Sequence, residues 1–281
     1  MTHRVGLQRI EAAEILKAIG LVREGRVYDM GAELSNDMPQ GPEEIFGRFR
    51  LSQYRTPRAL TDPQYAEFDF SMDFIMGSPH SSTHIDAFTH VQHMGRIFGG
   101  LPILDTYSDF GWKAHGMETT PPIVGRGVLL DVAAAQEVPQ LPDLFEITPR
   151  LLEETMAKQG VDIQKGDIIL IRTGKFREFR DRRDSYFGLQ PGVDEEGAIW
   201  LYEHGASLIG SDTTSVETNN PGKDMAHTTH RAMLVERGVH LIETMDLEAI
   251  AADRRYEFMF VCLPLKIVGG TGSWVRPIGI V

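Results

Sequence analysis

Cysteine is nearly absent from this 281-residue sequence, and Cys262 is the single one. One thiol forms no internal disulfide. Its apolar neighbours Phe260, Val261 and Leu263 mark it as a core residue of a buried strand rather than a nucleophile. No run approaches the ~18 apolar residues that a membrane helix needs. The first turns carry Arg4, Arg9, Glu11 and Glu14 in place of the apolar stretch of a secretory signal. Excess positive charge is missing too, with 28 Lys and Arg against 40 Asp and Glu and a net charge of -12. Such a surface repels nucleic-acid phosphates and otherwise specifies only solubility. The expectation is a cytoplasmic protein with a small-molecule substrate and neither a nucleic-acid nor a membrane partner.

What is present reads as an ordinary globular chain, 42% hydrophobic and 24% charged, long enough for one large core. Ala12, Ile15, Leu16, Ile19 and Val22 recur at helical spacing, predicting a helix over 7–24 that Gly25 stops. Strands are expected over 26–30, 206–210 and 239–243, short apolar runs predict buried ones over 127–132, 166–174 and 258–268, and weak alternation predicts one over 67–76. Between them, helices are expected over 148–159, 195–204, 231–237 and 245–252. Residues 43–66 are aromatic without a period, which suits a substrate lid or a packed loop equally. The mixed charges of Arg177, Glu178, Arg180, Asp181, Arg182, Arg183 and Asp184 predict a solvated face, not an anion site. No repeat or linker interrupts this alternation, so the chain reads as one α/β domain with a mixed sheet over 26–281, preceded by a helical extension, 1–25.

The densest chemistry lies at 80–90, where His80, His84, Asp86 and His90 fall within eleven residues. All occupy even positions and would share one side of an extended chain. On a straight strand His80 and His84 would stand roughly 13 Å apart. The segment Ser81, Ser82, Thr83 must therefore turn and fold His80 back. Two imidazoles and a carboxylate suit zinc, manganese or iron rather than calcium or magnesium. His90, four residues past Asp86, is placed for proton transfer beside the metal. Farther along, Glu243 ends an apolar strand, a costly burial unless it is paired or metal-bound. His240 alternates to the opposite strand face and is not expected to be a ligand.

This stretch resembles the signature of the metal-dependent cyclase hydrolases, a family that includes bacterial kynurenine formamidase and isatin hydrolase. That signature runs His-x-Gly-Thr-His-x-Asp-x-Pro-x-His, and Ser82 and Phe88 stand here at its usual glycine and proline. The resemblance extends over most of 26–281. It includes Tyr28-Asp29-Met30, Asp37-Met38-Pro39, the glycine-bounded strand 166–174, Gly210 to Ser215, Leu263 to Lys266, and the stretch from Gly269 to Arg276, where Trp274 replaces a usual proline. It implies the swivelling β/β/α fold and a homodimer or homotetramer. It also implies a second ligand pair, His230 and Glu243, with His227 as the alternative histidine. One or two Mn2+ or Zn2+ ions per chain follow from it, and Asp212 would either orient a site residue from behind or, as a lone loop aspartate, simply form the turn.

The expected function is hydrolysis of an amide C–N bond in a small aryl formamide or a cyclic amide such as isatin, with lactones open to the same attack. Phe74 and Phe88 are candidates to stack on an aromatic substrate, although core packing explains them equally. Two rivals stand beside this reading. A non-haem iron oxygenase would use His84, Asp86 and His230 but leave His80, His90 and Glu243 without roles. A metal-stabilised binding protein without catalysis would unfold when the metal is removed.

Overall fold

Long apolar runs covered on both faces set the architecture. In the computed structural model, which describes residues 5–218 and 227–281, nine strands form one sheet. They are β1 (Val27–Asp29), β4 (His84–Asp86), β7 (Ile123–Asp131), β9 (Ile168–Arg172), β11 (Leu208–Ser211), β12 (His240–Glu243), β13 (Glu257–Cys262), β14 (Gly272–Trp274) and β15 (Ile278–Ile280). Three small ladders complete the strands: β2 (Arg50–Arg55) with β3 (Met72–Met76), β5 (Arg96–Ile97) with β6 (Leu101–Pro102), and β8 (Glu146–Ile147) with β10 (Gly192–Val193). The large sheet runs β1-β15-β13-β7-β9-β11-β12-β4-β14. Its centre, β7, β9, β11 and β12, is parallel. Both wings are antiparallel, so the sheet is mixed and the class is α/β.

Alternation along β9 shows how one run serves two cores. Ile168 and Leu170 enter one core with Ile85, Ile242, Phe258 and Phe260. Ile169 and Ile171 enter the other with Val128, Leu130, Leu152, Leu201 and Leu241. Helices Pro149–Gln159 and Glu195–His204 cover this second face. The first starts on a proline and stops at Gly160 in the left-handed region (φ 69°). The second is capped by Asp194, which accepts from the Gly197 N–H. Cys262 is buried in β13, and burial pushes its thiol up.

Several boundaries differ from those expected. The helix expected over 7–24 is a 3-10 turn, Gly6–Arg9, then a helix Ala12–Ile19 that packs on β7. The side chains of Glu11 and Glu14 cap each other's backbone and restart the helix there, and Gly20 ends it. The strand expected over 258–268 ends at Cys262, two residues before Pro264, which has no N–H for a ladder. The strand expected from 67 starts only at Met72. Part of the irregular segment 43–66 supplies its partner β2, making a hairpin that exposes Leu51, Tyr54, Phe74, Ile75 and Met76. Arg231–Arg237 is a π-helical turn, closed by Gly238 (φ 61°). Among the described residues no helix is long and apolar enough to cross a membrane.

Candidate metal centre

Strand β4 lies between β12 and β14, and this pairing assembles the site. Antiparallel register sets His84 opposite Glu243 on one side and Trp274 on the other, with Asp86 opposite Gly272. Before β4 the chain does turn back. Ser81 N–H donates to the Ser78 carbonyl (3.2 Å), and Ser82 takes the left-handed region at φ 59°. That is where the family signature carries glycine, so a serine there costs about 1 kcal/mol in backbone strain. Thr83 ties the turn down: its hydroxyl donates to the Thr244 carbonyl (2.5 Å) and accepts from the Ala32 N–H (2.7 Å). Gly272 makes room for the folded-back ring, since a Cβ there would lie 2.7 Å from His80 Cε1.

Five ligand-type side chains converge. His80 Nδ1 lies 3.0 Å from Asp86 Oδ1, and His84 Nε2 lies 3.6 Å from the same oxygen. Glu243 reaches both sets, 3.3 Å from His84 Nε2 and 3.1 Å from His230 Nε2. His230 Nε2 is also 3.7 Å from Asp86 Oδ2. Asp86 is wholly buried, yet neither carboxylate oxygen has a hydrogen-bond partner, and nor does His80 Nδ1. Acceptors sealed from water without donors are costly unless a cation joins them. Nitrogen and carboxylate donors at these separations fit a divalent ion of the zinc or manganese type.

The outer nitrogens of these rings are also committed. His84 Nδ1–H donates to the Ser82 carbonyl (2.9 Å), and His80 Nε2 meets the Thr271 hydroxyl (2.9 Å). His230 Nδ1–H donates to Glu217 (2.6 Å). Each bond leaves the other nitrogen aimed at the cluster. Burial pulls the pKa of His84 down, but its hydrogen bond to Glu243 and the charge of Asp86 outweigh that and leave it raised. Burial likewise opposes, and Glu217 and Glu243 overcome, so that His230 is raised well above the ordinary value. His90 goes the other way: burial pushes it down to about 3 against the pull of Asp86, leaving a neutral base at pH 7. Its ring stacks on His80 at 3.9 Å, and it comes within ligand reach of Asp86 and His230.

Other expected site residues lie elsewhere. Phe88 does not face the cluster, because β4 ends at Asp86 and the His90 N–H then donates to the Ala87 carbonyl. That turn breaks the alternation, returns His90 to the site and sends Phe88 onto His240 (4.0 Å, stacked) and Phe98 (4.8 Å). There it helps line a separate cavity of about 240 Å³ with His115 and Pro121. Phe74 lies on the exposed hairpin and lines a groove that none of the cluster residues reaches. Among the described residues, the Asp212 carboxylate makes no hydrogen bond or ion pair with a ligand-type residue. It accepts from Thr173 and Gly174, bracing the turn after β9, and burial raises it to about 6. His240 donates through Nδ1 to the Asp86 carbonyl (2.7 Å), holding the β4 backbone from its other side. His227 is half-exposed and contacts Glu217. Glu217 and Thr271 escaped the sequence reading, since a lone acid and a lone threonine in loops carry no spacing signal.

Buried imidazoles and carboxylates gathered where the antiparallel strand β4 meets β12 and β14 make a candidate metal centre in a mixed sheet. A family model for the cyclases matches residues 28–218, and the chain belongs to that family of metal-dependent hydrolases. It is 26% identical over 201 residues to the kynurenine formamidase of Salinibacter ruber, covering 72% of this chain and 76% of that protein. It is 24% identical over 256 residues to cyclase-like protein 2 of Arabidopsis thaliana, covering 90% and 78%. The crystal structure of a novel cyclase matches with a TM-score of 0.88 at 26% identity, covering 99% of this chain and 96% of that one. Isatin hydrolase A from Labrenzia aggregata, bound to benzyl benzoate, matches with a TM-score of 0.67 at 21% identity, covering 94% and 95%, a likeness of fold.

Proposed function

We propose that this hydrolase cleaves the amide C–N bond of a small aryl formamide or cyclic amide. His80, His84 and Asp86 would hold one Mn2+ or Zn2+ ion, and His230 and Glu243, sharing Asp86, would hold a second where two are bound. The observation that carries this reading is the pair of buried Asp86 oxygens, without a hydrogen bond yet faced by three imidazoles, beside a neutral His90. When bound, such an ion supplies Lewis acidity, acidifying water and polarising an amide carbonyl. Asp86 and Glu243 provide the negative charge that retains a cation in a dry site. The neutral imidazole of His90 accepts the proton of the attacking water and returns it to the leaving nitrogen, so that the amine departs uncharged. An oxygenase built on His84, Asp86 and His230 would leave His80 and His90, both packed at the cluster, without work.

The test is ultraviolet-monitored hydrolysis of isatin and N-formylkynurenine by protein loaded with Mn2+ or Zn2+, with and without oxygen. Turnover that survives anaerobic conditions, disappears with EDTA and falls at least 100-fold in His90→Ala is the expected result. A metal-loaded protein inert to both compounds removes this substrate class. Oxygen-dependent turnover establishes the oxygenase instead.

A further inference from the structure

Glu217 is 6% exposed and, among the described residues, has no Lys or Arg partner, yet its carboxylate accepts three hydrogen bonds. Its Oε1 accepts from His230 Nδ1 (2.6 Å) and His227 Nδ1 (3.1 Å), and its Oε2 accepts from the Thr229 N–H (2.8 Å). An ionised carboxylate only accepts, so the proton between Glu217 and His230 belongs to Nδ1. The opposite nitrogen, Nε2, is then the one aimed at the ligand cluster, 3.1 Å from Glu243 and 3.7 Å from Asp86, and an incoming cation would take the place of its proton. Next to Glu217 in the chain, the Val216 N–H donates to Glu243 Oε1 (3.1 Å). Two consecutive loop residues thus brace both members of the second ligand pair.

We propose that Glu217 is the positioning residue of this metal centre, locking His230 in its Nδ1–H tautomer and making Nε2 a stronger donor to a divalent cation. The proposal rests on the metal-site reading above. Carboxylate–imidazole–metal relays of this kind are worth 10–100-fold in metal affinity. The anchor Thr229 N–H makes glutamine an informative replacement. With its carbonyl oxygen on Thr229, the side-chain amide would aim N–H at His230 Nδ1 and drive the ring to the wrong tautomer. Aspartate keeps the charge but falls one methylene short.

The experiment uses full-length protein, Glu217→Gln and Glu217→Asp, titrated with Zn2+ against a chromophoric chelator at fixed pH. Thermal unfolding is followed with and without EDTA, and the Zn2+-loaded proteins are examined by long-range imidazole 1H–15N spectra. Expected are a 10–100-fold weaker Zn2+ affinity in Glu217→Gln, a smaller loss in Glu217→Asp, and a melting temperature that falls further in the Zn2+-loaded protein than in the EDTA-treated one. The His230 Nδ1–H signal of the Zn2+-loaded wild type should vanish in Glu217→Gln. Unchanged affinity in both variants, or equal destabilisation with and without metal, overturns the positioning role. Loss of a whole Zn2+ equivalent with the rest bound as before also overturns it and makes Glu217 a ligand. Should Glu217→Gln not fold, Glu217→Asp decides by the same affinity criterion. Wild-type protein that binds no divalent metal removes the metal-site reading itself, and the proposal with it.

Discussion

At the residue scale, the site works by opposing environments on chemically identical side chains. His84 and His230 face carboxylates and are raised, whereas His90 is buried beside imidazoles and is lowered. Raised imidazoles bind protons more tightly folded than unfolded. In the metal-free protein their stabilising contribution is complete below the ordinary value of 6.5 and is lost as pH rises through the folded value. A divalent ion must displace those protons. Metal affinity should therefore weaken as pH falls from 8 to 6, with protons released on binding. Calorimetry in buffers of different ionisation enthalpy measures this, and a buffer-independent heat would contradict it. Ser82 shows the same local economy: it occupies the left-handed turn the signature gives to glycine, held there by Thr83 and its two hydrogen bonds.

At the element scale, the centre is a junction of three strand ends. β12 supplies Glu243, β4 supplies His84 and Asp86, and β14 supplies the floor beneath His80. Adding a methyl at Gly272 would bring it within 2.7 Å of the His80 ring and 3.1 Å of the Ile85 carbonyl. Gly272→Ala should weaken metal binding at least 10-fold with little change in metal-free melting temperature. Chelator competition and calorimetry check this together, and wild-type affinity would show that His80 is dispensable. These elements were partly legible beforehand. The turn at 81–83 and the shared face of Leu241 and Glu243 follow from spacing, because side chains alternate along strands. The reversal of Phe88 was not legible, since it depends on where β4 stops.

At the scale of the whole molecule, the β2–β3 hairpin is the anomaly. A two-stranded ribbon with Leu51, Tyr54, Phe74, Ile75 and Met76 exposed is marginal in water by itself and suits a contact surface. A second copy of this chain, as the expected homodimer or homotetramer would supply, is the occupant proposed for it. Light scattering should find an oligomer for the wild type. Phe74→Asp combined with Ile75→Asp should yield monomer at the same concentration with unchanged far-ultraviolet dichroism. A monomeric wild type ends the assignment.

Sequence alone determined what depends on local order. The strand runs, the α/β alternation and the cluster of His80, His84, Asp86 and His90 are written in residue type and spacing, and periodicity survives without knowing the partners. Tertiary structure decided what depends on contacts between distant segments. Those include the antiparallel register that sets Glu243 beside His84, the glycine beneath His80, the carboxylates that raise His84 and His230 while His90 stays lowered, and Glu217 behind His230. A ring's tautomer and basicity come from what lies within a few ångströms of it. Only the folded chain brings residues 86, 217, 230 and 243 to that range.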